Sequence, residues 1–301
     1  MIEKHIPVLL NEVLDALEIK PDGIYVDLTL GRAGHSQEIL KRLKNGHLFC
    51  FDKDIEAINE SKEKLNKISS NFTLIKSDFR FFKEELNKRN IYKVDGILAD
   101  LGVSSPQLDD AKRGFSYSQN TSLDMRMDLD QTLNANEILN NYDEKLISEI
   151  LIKNADVKFA VQIAKAIVKN RPINTSFKLN EILKACLPAK VVREKNPSKA
   201  VFQALRIYVN DELNALKDFL KNLDSIMNVN AKAAIITFHS KEDAIVKKHF
   251  QDLNYVDPVL YKLPIQVNKK WKQKIVFPSE KECLENKRSR SAKLRIITKL
   301  N

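Results

Sequence analysis

Four short apolar segments pace the first hundred residues. They begin at Ile24 (Ile24-Tyr25-Val26-Asp27), His47 (His47-Leu48-Phe49-Cys50-Phe51), Phe72 (Phe72-Thr73-Leu74-Ile75) and Val94 (Val94-Asp95-Gly96-Ile97-Leu98-Ala99), with starts 23, 25 and 22 residues apart. That spacing is too wide for hairpins and suits a strand, a helix and two loops. Between the segments the apolar positions adopt a helical period, as at Ile39, Leu40 and Leu43, then at Ile55, Ile58, Leu65 and Ile68. The alternation predicts an α/β fold: a Rossmann-like parallel sheet with helices on both faces.

After Leu101 the rhythm breaks. Residues 102–128 carry turn formers without a period, and residues from about 134 to 198 read as helices with no strand between them. A long amphipathic pattern then runs from Ser198 to about Leu223, and strand signals return at Ala233–Phe238, around Tyr255 and at Leu294–Ile297. The reading is one α/β domain, 1–105 with 199–301, interrupted by a mostly helical insertion, 106–198, of the size of a small domain.

Composition narrows the class. With 301 residues, 43% hydrophobic and 30% charged, and only 7 Gly and 9 Pro, the chain is neither collagen-like nor wholly disordered. No charge-free apolar run approaches the roughly 18 residues of a membrane span, and the start Met1-Ile2-Glu3-Lys4-His5 lacks signal-peptide regions. A cytoplasmic protein away from membranes is expected. Cys50, Cys186 and Cys283 lie too far apart for a disulfide framework or a zinc site. The net charge of +10 favours a polyanionic partner, although solvated lysine-rich helix faces explain much of that excess.

Ligands of open parallel sheets bind beyond the carboxyl ends of the strands. There the chain reads Asp27-Leu28-Thr29-Leu30-Gly31-Arg32-Ala33-Gly34-His35, then Asp52-Lys53-Asp54, Ser77-Asp78-Phe79 and Asp100-Leu101-Gly102. A glycine turn opening a helix, with Asp52 21 positions after Gly31, fits a nucleoside whose ribose hydroxyls the carboxylate accepts. A dinucleotide fingerprint wants Gly at 31, 33 and 36, and here stand Gly31, Ala33 and Ser36. A nucleoside without phosphates, S-adenosylmethionine, is therefore the better ligand. Asp27 and the backbone of 33–35 then hold the methionine end, Asp52 the ribose, and Asp78 with Phe79 flank the adenine. Helix capping is the rival role for these acids, above all for Asp54, and core packing is the rival for Phe79.

These stretches resemble one family closely, the 16S ribosomal RNA (cytosine-N4) methyltransferases of the RsmH/MraW type. The resemblance rests on His5–Leu10, Asp27–Ser36, Phe51–Asp54, the string from Asp100 to Asp109, Arg113–Ser116, Leu123–Asp128, Phe202–Ile207, Phe238-His239-Ser240 and Arg288–Ser291. It implies a class I methyltransferase sheet carrying a helical insertion that helps recognise RNA. It also implies S-adenosylmethionine-dependent methylation of a decoding-centre cytosine, in 16S rRNA or the small ribosomal subunit. Cofactor contacts fall on Ala33, Gly34, His35, Asp52, Phe79, Asp100 and Gln107. The family usually has Gly at the place of Ala33, so a positive φ there would strain this chain.

Cytosine's exocyclic amine is a poor nucleophile, because its lone pair is delocalised into the ring. It needs an acceptor for its hydrogens and a methyl donor held in line, and alignment alone contributes on the order of 7–11 kcal/mol. Asp100 is the candidate catalytic acceptor. Methylation at C5 would instead need a cysteine nucleophile, and none of the three lies near the loop. Substrate contacts are sought at Arg113, Phe115, Tyr117, Arg126, His239 and Trp271, with Phe115 and Tyr117 offering a face for an unstacked base or, equally, packing of the insertion against the main domain. Basic clusters stand at Lys190–Lys199, around Trp271 and at Lys287–Arg295. Two rival readings stay open: N-methylation of another RNA or a protein, and a ribosome-assembly RNA-binding protein without turnover. Pairing with a second copy is left open too.

Overall fold

The computed structural model describes residues 7–194, 196–255 and 269–301. Strands β1 (Ile24–Asp27), β2 (His47–Asp52), β3 (Phe72–Lys76) and β4 (Val94–Asp100) begin at the four positions the apolar segments predict. Helices α1 (Leu10–Leu17), α2 (Gly34–Leu40), α3 (Ile55–Asn66) and α4 (Phe82–Asn87) precede and separate them. Next come α5 (Ser105–Asp109), α6 (Ala135–Asn141), α7 (Glu144–Ala155), α8 (Ala160–Lys169), α9 (Ser176–Cys186), α10 (Ala189–Glu194) and α11 (Pro197–Val209). The chain closes with α12 (Glu212–Ile226), β5 (Met227–Thr237), α13 (Ser240–Leu253), β6 (Trp271–Val276), α14 (Glu280–Glu285) and β7 (Lys293–Lys299).

The sheet runs β3-β2-β1-β4-β5-β7-β6, and β7 lies antiparallel to both of its neighbours. Its strands are nearly continuous apolar runs because both faces are covered. Val26, Phe49, Phe51, Ile97 and Ile235 face one core with Phe82, Leu86 and Phe219. Tyr25, Leu48, Cys50, Leu98 and Ile236 face the other with Leu14, Ile39 and Leu65. Cys50 is thus the small buried hydrophobe its place in a strand suggests. No helix among the described residues is long and apolar enough to cross a membrane.

Two compact units result, 1–102 with 214–301, and 103–213. The second unit's return lies later than the 198/199 boundary read from the sequence, because the apolar side of α11 (Val201, Phe202, Leu205) belongs to the helical core with α7 residues Ile147 and Leu151. The long amphipathic pattern from Ser198 to about Leu223 forms two helices, α11 and α12, separated at Asp211, whose φ of 50° is left-handed. The strand expected around Tyr255 falls on residues that, beyond Tyr255 itself, lie outside the described ones, as do His5, Ile6 and Lys195. β6 lies at the sheet edge, where the sequence showed only a lysine cluster.

In the helical unit one buried amide helps to hold the end of the aperiodic stretch. Asn210 Nδ2 donates to the Met125 carbonyl at 2.7 Å, and its Oδ1 accepts from the Met127 N–H at 2.8 Å. Met125 itself has a φ of 62°. Asn210→Ala would leave both backbone groups buried without these partners, at about 2–4 kcal/mol. Denaturant unfolding of the variant is expected to show that loss, and a cost below about 0.5 kcal/mol would contradict the clamp.

Candidate active site

The sheet order reverses between β1 and β4, and the loops leaving the carboxyl ends of these strands open the crevice where α/β sheets bind ligands. In the ladders Asp27 pairs with Cys50 and Leu98, so Asp52 and Asp100 each stand two residues beyond it. A strand's side chains alternate, which puts Asp27, Asp52 and Asp100 on one face of the sheet, that of Tyr25, Cys50 and Leu98. All three carboxyl groups engage the loop and helix start at residues 29–36.

Asp27 is 1% exposed. It accepts from Ser36 Oγ at 2.6 Å and from the Thr29 N–H at 3.1 Å, and burial raises its pKa despite these bonds. Asp52 accepts one backbone N–H on each oxygen, Gly31 at 2.9 Å and Asp54 at 2.9 Å. Desolvation, outweighing those bonds, pushes its pKa up to about 6. Asp54 caps α3, accepting from the Glu56 N–H at 3.0 Å. Asp78 caps the 3₁₀ turn Phe79–Phe81 and lies 3.3 Å from Arg80 Nε and 3.8 Å from Lys53 Nζ. Phe79 is half-buried, edge-on to Phe219 with centroids 6.1 Å apart.

Asp100 differs from the others. Thr29 Oγ1 accepts its backbone N–H at 2.6 Å, but its carboxyl Oδ1 is buried with no hydrogen-bond partner. Desolvation first, then the charges of Asp27 and Glu242, push its pKa up to about 8. Glu242, 2% exposed, holds the turn after β5 through Oε2, which accepts from Phe238 N–H at 2.8 Å. Thr29, Ser36 and Glu242 are site residues the sequence reading did not single out. Only Glu242 had a signal, its position three residues after His239 in a capping box.

Gly31 turns the loop at a φ of 49°, and Ala33 follows at 61°. The strain foreseen for Ala33 is present: an L side chain in this region costs about 1–2 kcal/mol. Gly34 admits Pro7, since a Cβ there would lie 2.4 Å from the Pro7 Cγ.

Several substrate-contact candidates hold structural places instead. Trp271 is 3% exposed in the sheet core with the Lys299 ammonium 5.6 Å from its ring centroid, so its face is not open to a base. His239 caps α13, and its Nε2 lies 3.2 Å from Glu242 Oε1. In the helical unit Arg113 is buried and donates through Nη2 to the Arg126 and Met127 carbonyls. Arg126 pairs with Asp124 through two nitrogens. Phe115 is buried in that unit's core, and Tyr117 packs edge-on against Phe202 at 5.8 Å, so both pack within the helical unit. Gln107 Oε1 accepts from the Ser104 N–H, closing the start of α5. Among the basic residues, Lys293 and Arg295 both bind Asp243, whereas Lys269, Lys270, Lys272 and Lys274 are exposed.

Five strands in parallel, a reversed β7 between β5 and β6, and carboxylates gathered at the switch point define a class I methyltransferase sheet, which takes S-adenosylmethionine. The model of the MraW methylase family matches residues 2–300. A Metamycoplasma arthritidis protein named ribosomal RNA small subunit methyltransferase H is 65% identical over 285 residues, covering 95% of this chain and 100% of its own. Proteins of the same name from Mycoplasmopsis agalactiae and Mycoplasmopsis synoviae are 54% and 51% identical, covering 100% of this chain and 100% and 99% of theirs. The chain belongs to the MraW methylase family.

Two outcomes follow from the loop and the acids. Ala33→Gly relieves the left-handed strain but frees the unfolded chain, so stability is expected to rise by up to about 1 kcal/mol. A denaturation midpoint clearly below wild type would contradict strain at this position. Asp100 and Asp52 titrate near 3.8 when unfolded and near 8 and 6 when folded, so between those values the folded protein binds more protons. Their stabilising contribution is full below pH 3.8 and is lost as pH rises through 6 and then 8. Cofactor-free Asp100→Asn should therefore melt several degrees above wild type at pH 9 and show a flatter pH dependence. Parallel melting curves for the two proteins from pH 6 to 9 would refute the raised pKa of Asp100, whose side chain is 26% exposed although its Oδ1 is buried.

Proposed function

We propose that this chain transfers the methyl group of S-adenosylmethionine to the N4 amine of a decoding-centre cytosine in 16S rRNA, with Asp100 as the catalytic acceptor. The observation that carries the reading is the orphaned Oδ1 of Asp100, a buried acceptor at the switch point with no donor among the described residues. An exocyclic amine brings N–H donors of the kind this oxygen lacks, and drawing on them returns electron density to nitrogen.

The residues fit the cofactor as well. Each oxygen of Asp52 spends one lone pair on a backbone N–H and keeps another for a ribose hydroxyl. Phe79 stands at the end of β3, beside the expected adenine, and the left-handed turn at Gly31 and Ala33 lets backbone approach the methionine end. Bound there, the sulfonium supplies an electrophilic methyl group. Its positive charge would favour the carboxylate forms of Asp27 and Asp100, lowering the pKa values that burial raises, and Asp100 orients the amine. The helical unit and the exposed lysines of β6 are the proposed RNA contacts, in a cytoplasmic setting.

Unmodified small-subunit RNA, free or in particles, incubated with labelled cofactor and digested to nucleosides should yield N4-methylcytidine. Asp100→Ala should lower the yield rate by at least about 100-fold, the usual worth of a positioned acid–base group. Label in another nucleoside would overturn the reading, and an undiminished rate in the variant would remove Asp100 from the chemistry.

A further inference from the structure

The ladder pairings link Asp100 to the far edge of the sheet. Asp100 stands opposite Ile236, Ile236 opposite Leu294, and Leu294 opposite Val276 of the edge strand β6. Three strand spacings put Val276 about 14 Å from Asp100 along this row. One pleat back, the row through Leu98, Ala234 and Ile296 ends on Lys274, and Lys272 lies two residues behind. β6 runs in the direction of β4, since β7 is antiparallel to both β5 and β6, and β5 is parallel to β4. The step from Lys272 to Lys274, about 7 Å, therefore points toward the catalytic edge.

The two lysines also share a face with the acid. Val276, Leu294, Ile296 and Ile236 pack with the core of Leu98 and Cys50, whereas Trp271 and Ile297 belong to the opposite core. Side chains alternate along a strand, so Lys272 and Lys274 leave β6 on the face of Asp27, Asp52 and Asp100.

Charge separates the two faces. On the opposite one, Lys293 and Arg295 bind Asp243 at 3.0 and 2.7 Å, and Lys299 binds Asp224 at 2.7 Å. Lys272 and Lys274 are exposed, and neither pairs with a carboxylate among the described residues. Unneutralised cations thus stand on the side where the proposed chemistry takes place. Lysines on an edge strand also deter pairing with foreign strands, but that role requires no common face with an active site.

We propose that Lys272 and Lys274 form a phosphate track, holding the backbone of the substrate RNA along β6 a few nucleotides from the cytosine that reaches Asp100. This surface rests on the function proposed above. Two residues of a strand span nearly the step between neighbouring phosphates of an extended RNA chain, so each ammonium meets one phosphate. Such contacts fix where the RNA lies and carry no sequence information, which leaves the choice of base to the site at Asp100.

Equilibrium binding of unmodified small-subunit RNA across a salt series tests the track. With Lys272→Gln/Lys274→Gln the slope of log affinity against log salt should flatten by about 1.4–1.8, and affinity should fall at least about tenfold at about 0.15 M salt. Lys272→Arg/Lys274→Arg keeps both charges and should bind as wild type does. Lys247→Gln/Lys248→Gln removes the same charge from exposed positions of α13, whose Val246 and Phe250 pack on the opposite face, and should change the slope by less than about 0.5. In methyl transfer the β6 glutamine variant should raise the RNA KM about tenfold while the rate at saturating RNA stays within about threefold of wild type. An unchanged slope would leave the lysines as edge protection and overturn the track, and so would equal flattening in the two glutamine variants. A loss of saturating rate at wild-type affinity overturns it too. If wild type and variants bind with the expected slopes yet wild type makes no N4-methylcytidine, the proposed function fails and the track stands as an RNA site without that reaction.

Discussion

A carboxyl group buried at the end of a parallel strand must find donors or keep its proton, and this constraint organises the catalytic edge of the sheet. Asp27 takes Ser36 and Thr29; Asp52 takes Gly31 and Asp54. Each pairing also shapes the loop that supplies the donor, so the acids fold the glycine turn as much as the turn presents the acids. Asp100 alone keeps an oxygen unsatisfied, and its proton is retained up to about pH 8. An unsatisfied buried acceptor costs stability, commonly about 1–3 kcal/mol, and such a cost is tolerated where a ligand later meets it.

The rest of the domain serves to hold that edge still. Two apolar cores fix the strands from both faces, and the cross-link from Asp100 N–H to Thr29 Oγ1 ties the ends of β4 and the β1 loop together. Glu242 ties down the turn after β5 in the same way. The left-handed Ala33 is the one place where the loop is strained, at the residue where α2 starts and where the backbone must come nearest a bound nucleoside.

Much of this was legible in the sequence, for physical reasons. Strands buried on both faces write themselves as apolar runs, and Ile24, His47, Phe72 and Val94 each open one. The acids at the strand ends were visible because nothing apolar replaces them. What escaped the reading depends on partners distant in sequence. β6 reads as a lysine run because only Trp271 of its six residues is buried, the strand lying at the sheet edge. The break at Asp211 interrupts an apolar period that continues on both sides. Arg113 and Trp271 read as substrate contacts, and Phe115 and Tyr117 as a base-stacking face or as packing, yet Arg113, Phe115 and Trp271 are buried and Tyr117 packs on Phe202, because long cationic and aromatic side chains satisfy carbonyls and fill cores as readily as they meet RNA. Thr29 and Ser36 carry no pattern at all, since a hydroxyl's role is set by which carboxyl folds against it.

The central claim is that these carboxyl groups cradle a sulfonium nucleoside beside an amine acceptor. A crystal structure of the chain with S-adenosylhomocysteine tests it most directly. The account places the adenosyl group over residues 29–36, with both ribose hydroxyls on Asp52 and the sulfur on the side of Asp100. A product molecule bound away from this edge, or with its ribose turned from Asp52, would contradict it.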